Sequence, residues 1–238
     1  MNLESVTRTH VGCRRKINED ALLARPDLGL WAVADGMGGH DAGEVASALV
    51  VESLAACQQG PGLNTRAEAV ALALREANSS LIEMGQNGPE HRTIGSTAVA
   101  LIVEPSASAF ACLWAGDSRA YRVRGGQIAQ LTRDHSLVQE LVEAGELTPA
   151  EAHSHPNANI ITRAVGAAPT LQVERVDGDV APGDVFLIAS DGLTRLMVDE
   201  ELLAALTGPD LAATADGLIE TCLERGAPDN VTLIILRA

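Results

Sequence analysis

Apolar residues along the chain fall into short runs that end or begin on acidic residues. Leu30-Trp31-Ala32-Val33-Ala34 stops at Asp35-Gly36, and Val185-Phe186-Leu187-Ile188-Ala189-Ser190 stops at Asp191-Gly192. Ala111-Cys112-Leu113-Trp114-Ala115-Gly116 delivers Asp117. Near the end of the chain the order reverses, with Asp229-Asn230 ahead of Val231-Thr232-Leu233-Ile234-Ile235-Leu236. Runs of this length, carrying β-branched and aromatic residues and closed by a turn dipeptide such as Asp-Gly, predict buried strands.

The same pattern predicts strands near 6–12, 20–25, 29–34, 96–103, 109–115, 119–124, 127–132, 172–178, 185–190 and 231–237. Helical spacing predicts helices at 42–58, 65–86, 136–144, 149–154, 199–206 and 210–225. Arg124-Gly125-Gly126-Gln127 is a hairpin signal. Thr148-Pro149-Ala150-Glu151 combines a capping box with proline at the first helical position. Two long helices in succession, then strands in adjacent pairs, argue against a doubly wound parallel sheet. The expected fold is α+β: a four-layer α-β-β-α sandwich, with two antiparallel sheets face to face and helix pairs outside. A single domain over 1–238 is expected, with a polar helical insertion at about 133–161.

Antiparallel neighbours set the end of one strand beside the start of the next, so the acidic strand ends can share one sheet edge. Any one Asp-Gly is explained by turn geometry alone. Four such carboxylates beside small residues suggest more, because the backbone there can approach an ion closely. Carboxylates and a carbonyl, without a Cys or His pattern, suit magnesium or manganese rather than zinc.

Six ordered motifs make the resemblance specific. They are Gly12-x-x-Arg15-x-x-Asn18-Glu19-Asp20, Ala34-Asp35-Gly36-Met37-Gly38-Gly39-His40, Gly95-Ser96-Thr97, Ala115-Gly116-Asp117-Ser118-Arg119, Ala189-Ser190-Asp191-Gly192 and Asp229-Asn230-Val231-Thr232. From about residue 7 to the last strand the chain resembles the metal-dependent protein phosphatases, the type 2C or PPM serine/threonine family, in its stand-alone bacterial form. The resemblance implies that Asp35 bridges two divalent cations, manganese or magnesium. It assigns Asp191 and Asp229 to one cation and the Gly36 carbonyl to the other. Glu19 and Asp20 match positions that hold metal-bound waters, Asp117 with Asp191 matches the ligands of a third, weaker ion, and Arg15 matches the phosphate-gripping residue. Some eukaryotic members carry a proposed general acid, His, directly after Asp-Gly; here Met37 stands there. His40 and a metal-bound water are then candidates for the acid, and His40 is equally explained as a loop or helix-start residue. His135 and the pair His153-x-His155 are equally ambiguous.

Other phosphatase chemistries do not fit. None of Cys13, Cys57, Cys112 or Cys222 has an Arg six residues on, as a cysteine-dependent phosphate loop requires. Asp177-Gly178-Asp179 superficially resembles a haloacid-dehalogenase aspartate pair, but it follows no buried strand and reads as a solvated turn. Gly36-x-Gly38-Gly39 lacks the third glycine of a dinucleotide loop, Asp41 standing in its place.

Composition narrows the partners. With 238 residues, 46% of them hydrophobic, the chain can bury one substantial core. A net charge of -15 and only 2% aromatic residues argue against nucleic acid, which calls for clustered cations and stacking platforms. Four widely spaced cysteines suit reduced thiols in a cytosol. Met1-Asn2-Leu3-Glu4 has no signal-peptide pattern, Asn2 stands where myristoylation needs a glycine, and no run spans a membrane. A cytoplasmic monomer is expected. Its expected activity is hydrolysis of phosphoserine and phosphothreonine in proteins, opposing a cognate bacterial Ser/Thr kinase, with the insertion as a substrate-selecting flap. The alternatives are a catalytically silent phosphoprotein-binding module and a small-molecule phosphatase.

Overall fold

The computed structural model describes residues 3–38, 42–58, 60–87, 93–104, 106, 108–153 and 155–238. Its first sheet holds β1 (Glu4–His10), β11 (Val231–Arg237), β10 (Val185–Ala189), β7 (Arg119–Arg124) and β8 (Gln127–Gln130), in that spatial order. The second holds β2 (Asp20–Arg25), β3 (Leu30–Met37), β5 (Ala98–Glu104), β6 (Ala109–Ala115) and β9 (Glu174–Asp179), with the short β4 (Gly95–Ser96) paired to β3. Every pairing between these strands is antiparallel.

Burial explains the strand sequences. β11 and β10 are central and covered on both faces, so they read as nearly continuous apolar runs. Between the sheets lie Trp31, Val33, Leu101, Phe110, Phe186, Ile188 and Ile234. Phe110 meets Phe186 across the interface edge-on, with ring centroids 5.2 Å apart. Fully burying one such side chain stabilises the fold by about 1.5–3 kcal/mol.

The helix layers cover the outer faces. α1 (Ala42–Ala56) and α2 (Leu63–Asn87) pack Ala46, Val50, Leu54, Val70, Leu74 and Leu81 onto the second sheet. On the first sheet, α6 (Asp199–Leu206) and α7 (Leu211–Glu224) pack Leu202, Leu206, Leu211, Leu218 and Cys222. This is the α-β-β-α sandwich the hydropathy pattern predicts. Among the described residues no helix is long and apolar enough to cross a membrane.

Three local differences have physical causes. β1 starts at Glu4 rather than near residue 6, because its ladder runs in register with all of β11, from Glu4 opposite Arg237 to His10 opposite Val231. The predicted strand 96–103 divides at Thr97, opposite Asp35: the Thr97 amide donates to the Asp35 carbonyl at 2.8 Å, but the Asp35 amide donates to the Thr97 hydroxyl at 3.0 Å, which interrupts the ladder. Asp177-Gly178-Asp179, read as a solvated turn, lies inside β9, where Asp177 opposes Ala111 and Asp179 opposes Ala109. An edge strand tolerates exposed acids because one of its faces meets water, and β9 alternates in exposure accordingly.

The 133–161 insertion carries α3 (Leu137–Glu143) and α4 (Pro149–His153). The capping box forms: the Thr148 amide donates to Glu151 Oε2 at 2.8 Å, and the Glu151 amide to Thr148 Oγ1 at 3.3 Å.

Candidate metal centre

The acidic strand ends meet at one end of the sandwich. Asp20 begins β2 directly opposite Asp35 near the end of β3. Asp117 follows β6, Asp191 opens α5 (Asp191–Thr194) just after β10, and Asp229 precedes β11. Both sheets therefore contribute carboxylates to one edge, as the reversed order of Asp229-Asn230 suggests.

Hydroxyls and amides fix the backbone beneath them. The Asp35 amide donates to Thr97 Oγ1 at 3.0 Å, and Ser96 Oγ donates to the Asp35 carbonyl at 3.0 Å. Asn230 clasps the Arg15 loop: its Nδ2 donates to the Val11 and Ile17 carbonyls, and its Oδ1 accepts from the Glu19 amide at 2.8 Å. Ser190, fully buried, joins the sheets by donating to Asp20 Oδ2 at 2.8 Å while accepting from the Thr232 amide at 3.0 Å.

Close packing excludes side chains at two glycines. A Cβ on Gly36 would stand 1.9 Å from the Gly43 carbonyl in the first turn of α1. One on Gly192 would stand 1.8 Å from the Asn230 carbonyl. Helix and strand ends can approach the carboxylates only because these positions lack side chains.

The charges are not balanced locally. Burial first, then Asp191, Asp20, Asp117 and Asp229, push the Asp35 carboxyl well above its ordinary range. Asp20, Asp117 and Asp191 are also raised, each chiefly by burial with neighbouring carboxylates adding to it. Among the described residues two guanidinium groups answer the five aspartates and Glu19. Arg15 reaches Asp229 Oδ2 at 2.8 Å and stands 3.6 Å from Glu19 Oε2. Arg195 reaches Asp191 Oδ2 at 2.9 Å and Asp117 Oδ2 at 3.2 Å.

This donor set can be tested for fit to a divalent cation. Among the described residues, no three His, Cys, Asp or Glu side chains close as a ready-made cage. The arginines instead stand between the carboxylates. Yet Asp117 Oδ1 is buried without a partner among the described residues, and an all-oxygen cluster whose members raise one another's pKa calls for further positive charge. Hard cations fit that chemistry.

The structure thus brings together Arg15, Glu19, Asp20, Asp35, Gly36, Asp117, Asp191 and Asp229. His40 lies outside the described residues. His135 is a buried linker: its Nδ1 accepts from the Gly116 amide at 3.0 Å, and its Nε2 lies 2.9 Å from Arg163 Nη1 and 3.1 Å from Glu174 Oε1. His155 accepts from the Asn157 amide in an exposed turn. The hydropathy pattern gives no role to Ser190, Thr97 or Arg195. Arg195 had a signal, since it stands one helical turn after Asp191.

The protein phosphatase 2C family profile matches residues 13–228. The chain belongs to the protein phosphatase 2C family. It is 39% identical over 237 residues to the serine/threonine protein phosphatase PstP of Mycobacterium tuberculosis, a match covering 98% of this chain and 44% of that protein. The chain therefore spans less than half of that relative. Among solved structures of the family, it resembles PppA, a key regulatory component of T6SS in Pseudomonas aeruginosa, with a TM-score of 0.91 and 41% identity over 100% of this chain and 98% of that one. It also resembles the catalytic domain of PstP in complex with two manganese ions, with a TM-score of 0.86 and 36% identity over 99% and 97% of the two chains.

Proposed function

We propose that this chain is a catalytic domain, extending over 1–238, that hydrolyses phosphoserine and phosphothreonine in proteins with the help of two manganese or magnesium ions. The observation that carries the reading is the convergence of Asp20, Asp35, Asp117, Asp191 and Asp229 on one edge, with Arg15 at its rim. Family membership and the two-manganese relative support it.

Asp35, Asp191, Asp229 and the Gly36 carbonyl would hold the two cations, and Asp117 with Asp191 a third. When bound, such a pair activates water for attack and neutralises charge on the phosphoryl group. Arg15, 47% exposed, can turn from Asp229 to present paired donors to two phosphate oxygens. Glu19 and Asp20 would orient water by hydrogen bonds, Asp20 being held in place by Ser190. Met37 carries no proton to give, so the leaving alkoxide takes its proton from water or from His40. The 133–161 segment would choose among substrates, since loops beside a rigid site carry specificity. A cytoplasmic monomer opposing a Ser/Thr kinase fits the composition and the bacterial relatives.

Phosphate release from a phosphothreonine peptide tests the reading, with manganese, magnesium or chelator, beside Asp191→Asn. Metal-dependent release that the substitution abolishes is expected. No release from the folded protein under either metal would sink the reading and leave a phosphoprotein-binding module.

A further inference from the structure

The guanidinium of Arg195 touches three groups from three parts of the chain. Its Nε lies 2.9 Å from Asp191 Oδ2, and one terminal nitrogen lies 3.2 Å from both Asp117 Oδ2 and the Ala158 carbonyl. Asp117 and Asp191 belong to the carboxylate edge, whereas Ala158 belongs to the insertion. We propose that Arg195 is a built-in cation that ties the 155–160 segment to the carboxylate edge, and that a divalent ion drawn to Asp117 and Asp191 displaces it and releases the segment. The inference rests on the divalent-cation reading above.

The geometry makes the exchange local. The two ends of the segment have their own anchors: the His155 amide donates to the Ala152 carbonyl at 3.3 Å at one end, and the Leu137 amide donates to the Ile160 carbonyl at 2.9 Å at the other, with the Thr162 amide bonded to the His135 carbonyl at 2.8 Å just beyond. Between them, Ala158 and Ile160 donate only within turns, to the His155 carbonyl at 3.0 Å and the Asn157 carbonyl at 3.1 Å. The Arg195 bond to Ala158 is the contact that reaches from this stretch to the carboxylates.

The same nitrogen serves Asp117 and Ala158, so a guanidinium pushed off the carboxylates takes its donor away from Ala158 as well. A cation on Asp117 and Asp191 competes for the same oxygens and repels the guanidinium. The single arginine does not saturate the pair either, since Asp117 Oδ1 has no partner among the described residues. Cation occupancy and segment position are then coupled, and the coupling is reciprocal. Arg195 acts here as a positioning residue.

Residue-resolved amide hydrogen exchange on the full chain tests this. It compares wild type, Arg195→Gln and Arg195→Lys, without metal and through a manganese titration. Without metal, amides of 155–160 in Arg195→Gln should exchange on the order of tenfold faster than wild type, the factor carried by one charge-assisted hydrogen bond. Wild type should reach that rate as manganese saturates, whereas Arg195→Gln should not respond. Arg195→Lys should fall between, because an ammonium cannot span the three oxygens as a planar fork does. Equal protection in wild type and Arg195→Gln without metal, or wild-type exchange indifferent to manganese, overturns the tether. If Arg195→Gln does not fold, the wild-type titration and Arg195→Lys decide alone. A manganese-sensitive segment in a chain that releases no phosphate would refute the phosphatase reading only; an active chain with an insensitive segment would refute the tether only.

Discussion

The paired strands β7 and β10 carry an arginine with two acids at each end, and the two ends behave in opposite ways. At one end, just before β10, Asp184 takes two bonds from Arg124, at 2.7 and 2.6 Å, and one from the Ala181 amide at 2.9 Å. Asp179 accepts from Arg124 Nη1 at Oδ2, at 2.7 Å, and from Nη2 at its carbonyl, at 2.9 Å. At the other end, Arg195 is divided between Asp117 and Asp191, whose carboxyls stay raised, and Asp117 keeps an oxygen without a partner among the described residues. The first cluster is complete and serves the fold. The second is short of positive charge, as the proposed cation site requires, and satisfaction of each oxygen separates them where composition does not.

Substitution at the carboxylate edge should separate the two ends most strongly. Among the described residues no arginine reaches Asp35 as an ion pair, and its carboxyl is raised by burial and four neighbouring carboxylates. Asp35→Asn should lower phosphate release on the order of a thousandfold, the scale of losing electrostatic support for two cations. Without metal the same variant should melt no lower than wild type. Relief of about 1 kcal/mol of repulsion would raise the melting temperature by about 2–4 °C. Retained release, or a clear drop in metal-free melting temperature, would remove the distinction between the ends.

Ser190→Ala tests the support beneath the edge. Its hydroxyl holds Asp20 and the Thr232 amide together. Loss of that link should reduce turnover about 10–100-fold, as removal of supporting groups around metal ligands does, and stability by about 1–2 kcal/mol. A variant that loses stability alone would make Ser190 purely architectural.

This asymmetry was only partly legible in the sequence. Apolar runs closed by Asp-Gly located both the strands and the acids at Asp35 and Asp191, because one local signal ends a strand and exposes a carboxylate. Asp229-Asn230 worked in mirror image. Ser190 and Thr97 were hidden because a hydroxyl inside an apolar run looks like ordinary strand filler, and its role arises only when a second strand arrives. Arg195 was hidden because its partners Asp117 and Ala158 come from distant segments. The turn reading of Asp177-Gly178-Asp179 failed where the strand predicted at 172–178 held: the polar letters look like a turn, and that they stay paired with β6 as far as Asp179 is a tertiary fact.

The complete cluster gives the smallest effect and the cleanest sign. Asp184 is 1% exposed; burial raises its carboxyl, but the bonds from Arg124 and the Ala181 amide outweigh burial and hold it below the usual range. Asp184→Asn should leave phosphate release unchanged and cost about 2 kcal/mol of stability at pH 7, a value moderated by the partial exposure of Arg124. A group whose folded-state pKa is depressed contributes stability above its unfolded pKa, about 3.9 for Asp, and loses that contribution as pH falls through the folded value. Denaturant titrations of wild type and Asp184→Asn should therefore differ by a constant amount above about pH 5 and converge as the pH is lowered below about 4. Curves that stay equally separated to low pH would mean that the carboxylate charge is not what Arg124 reads. The contrast between the two ends would then be one of shape rather than charge.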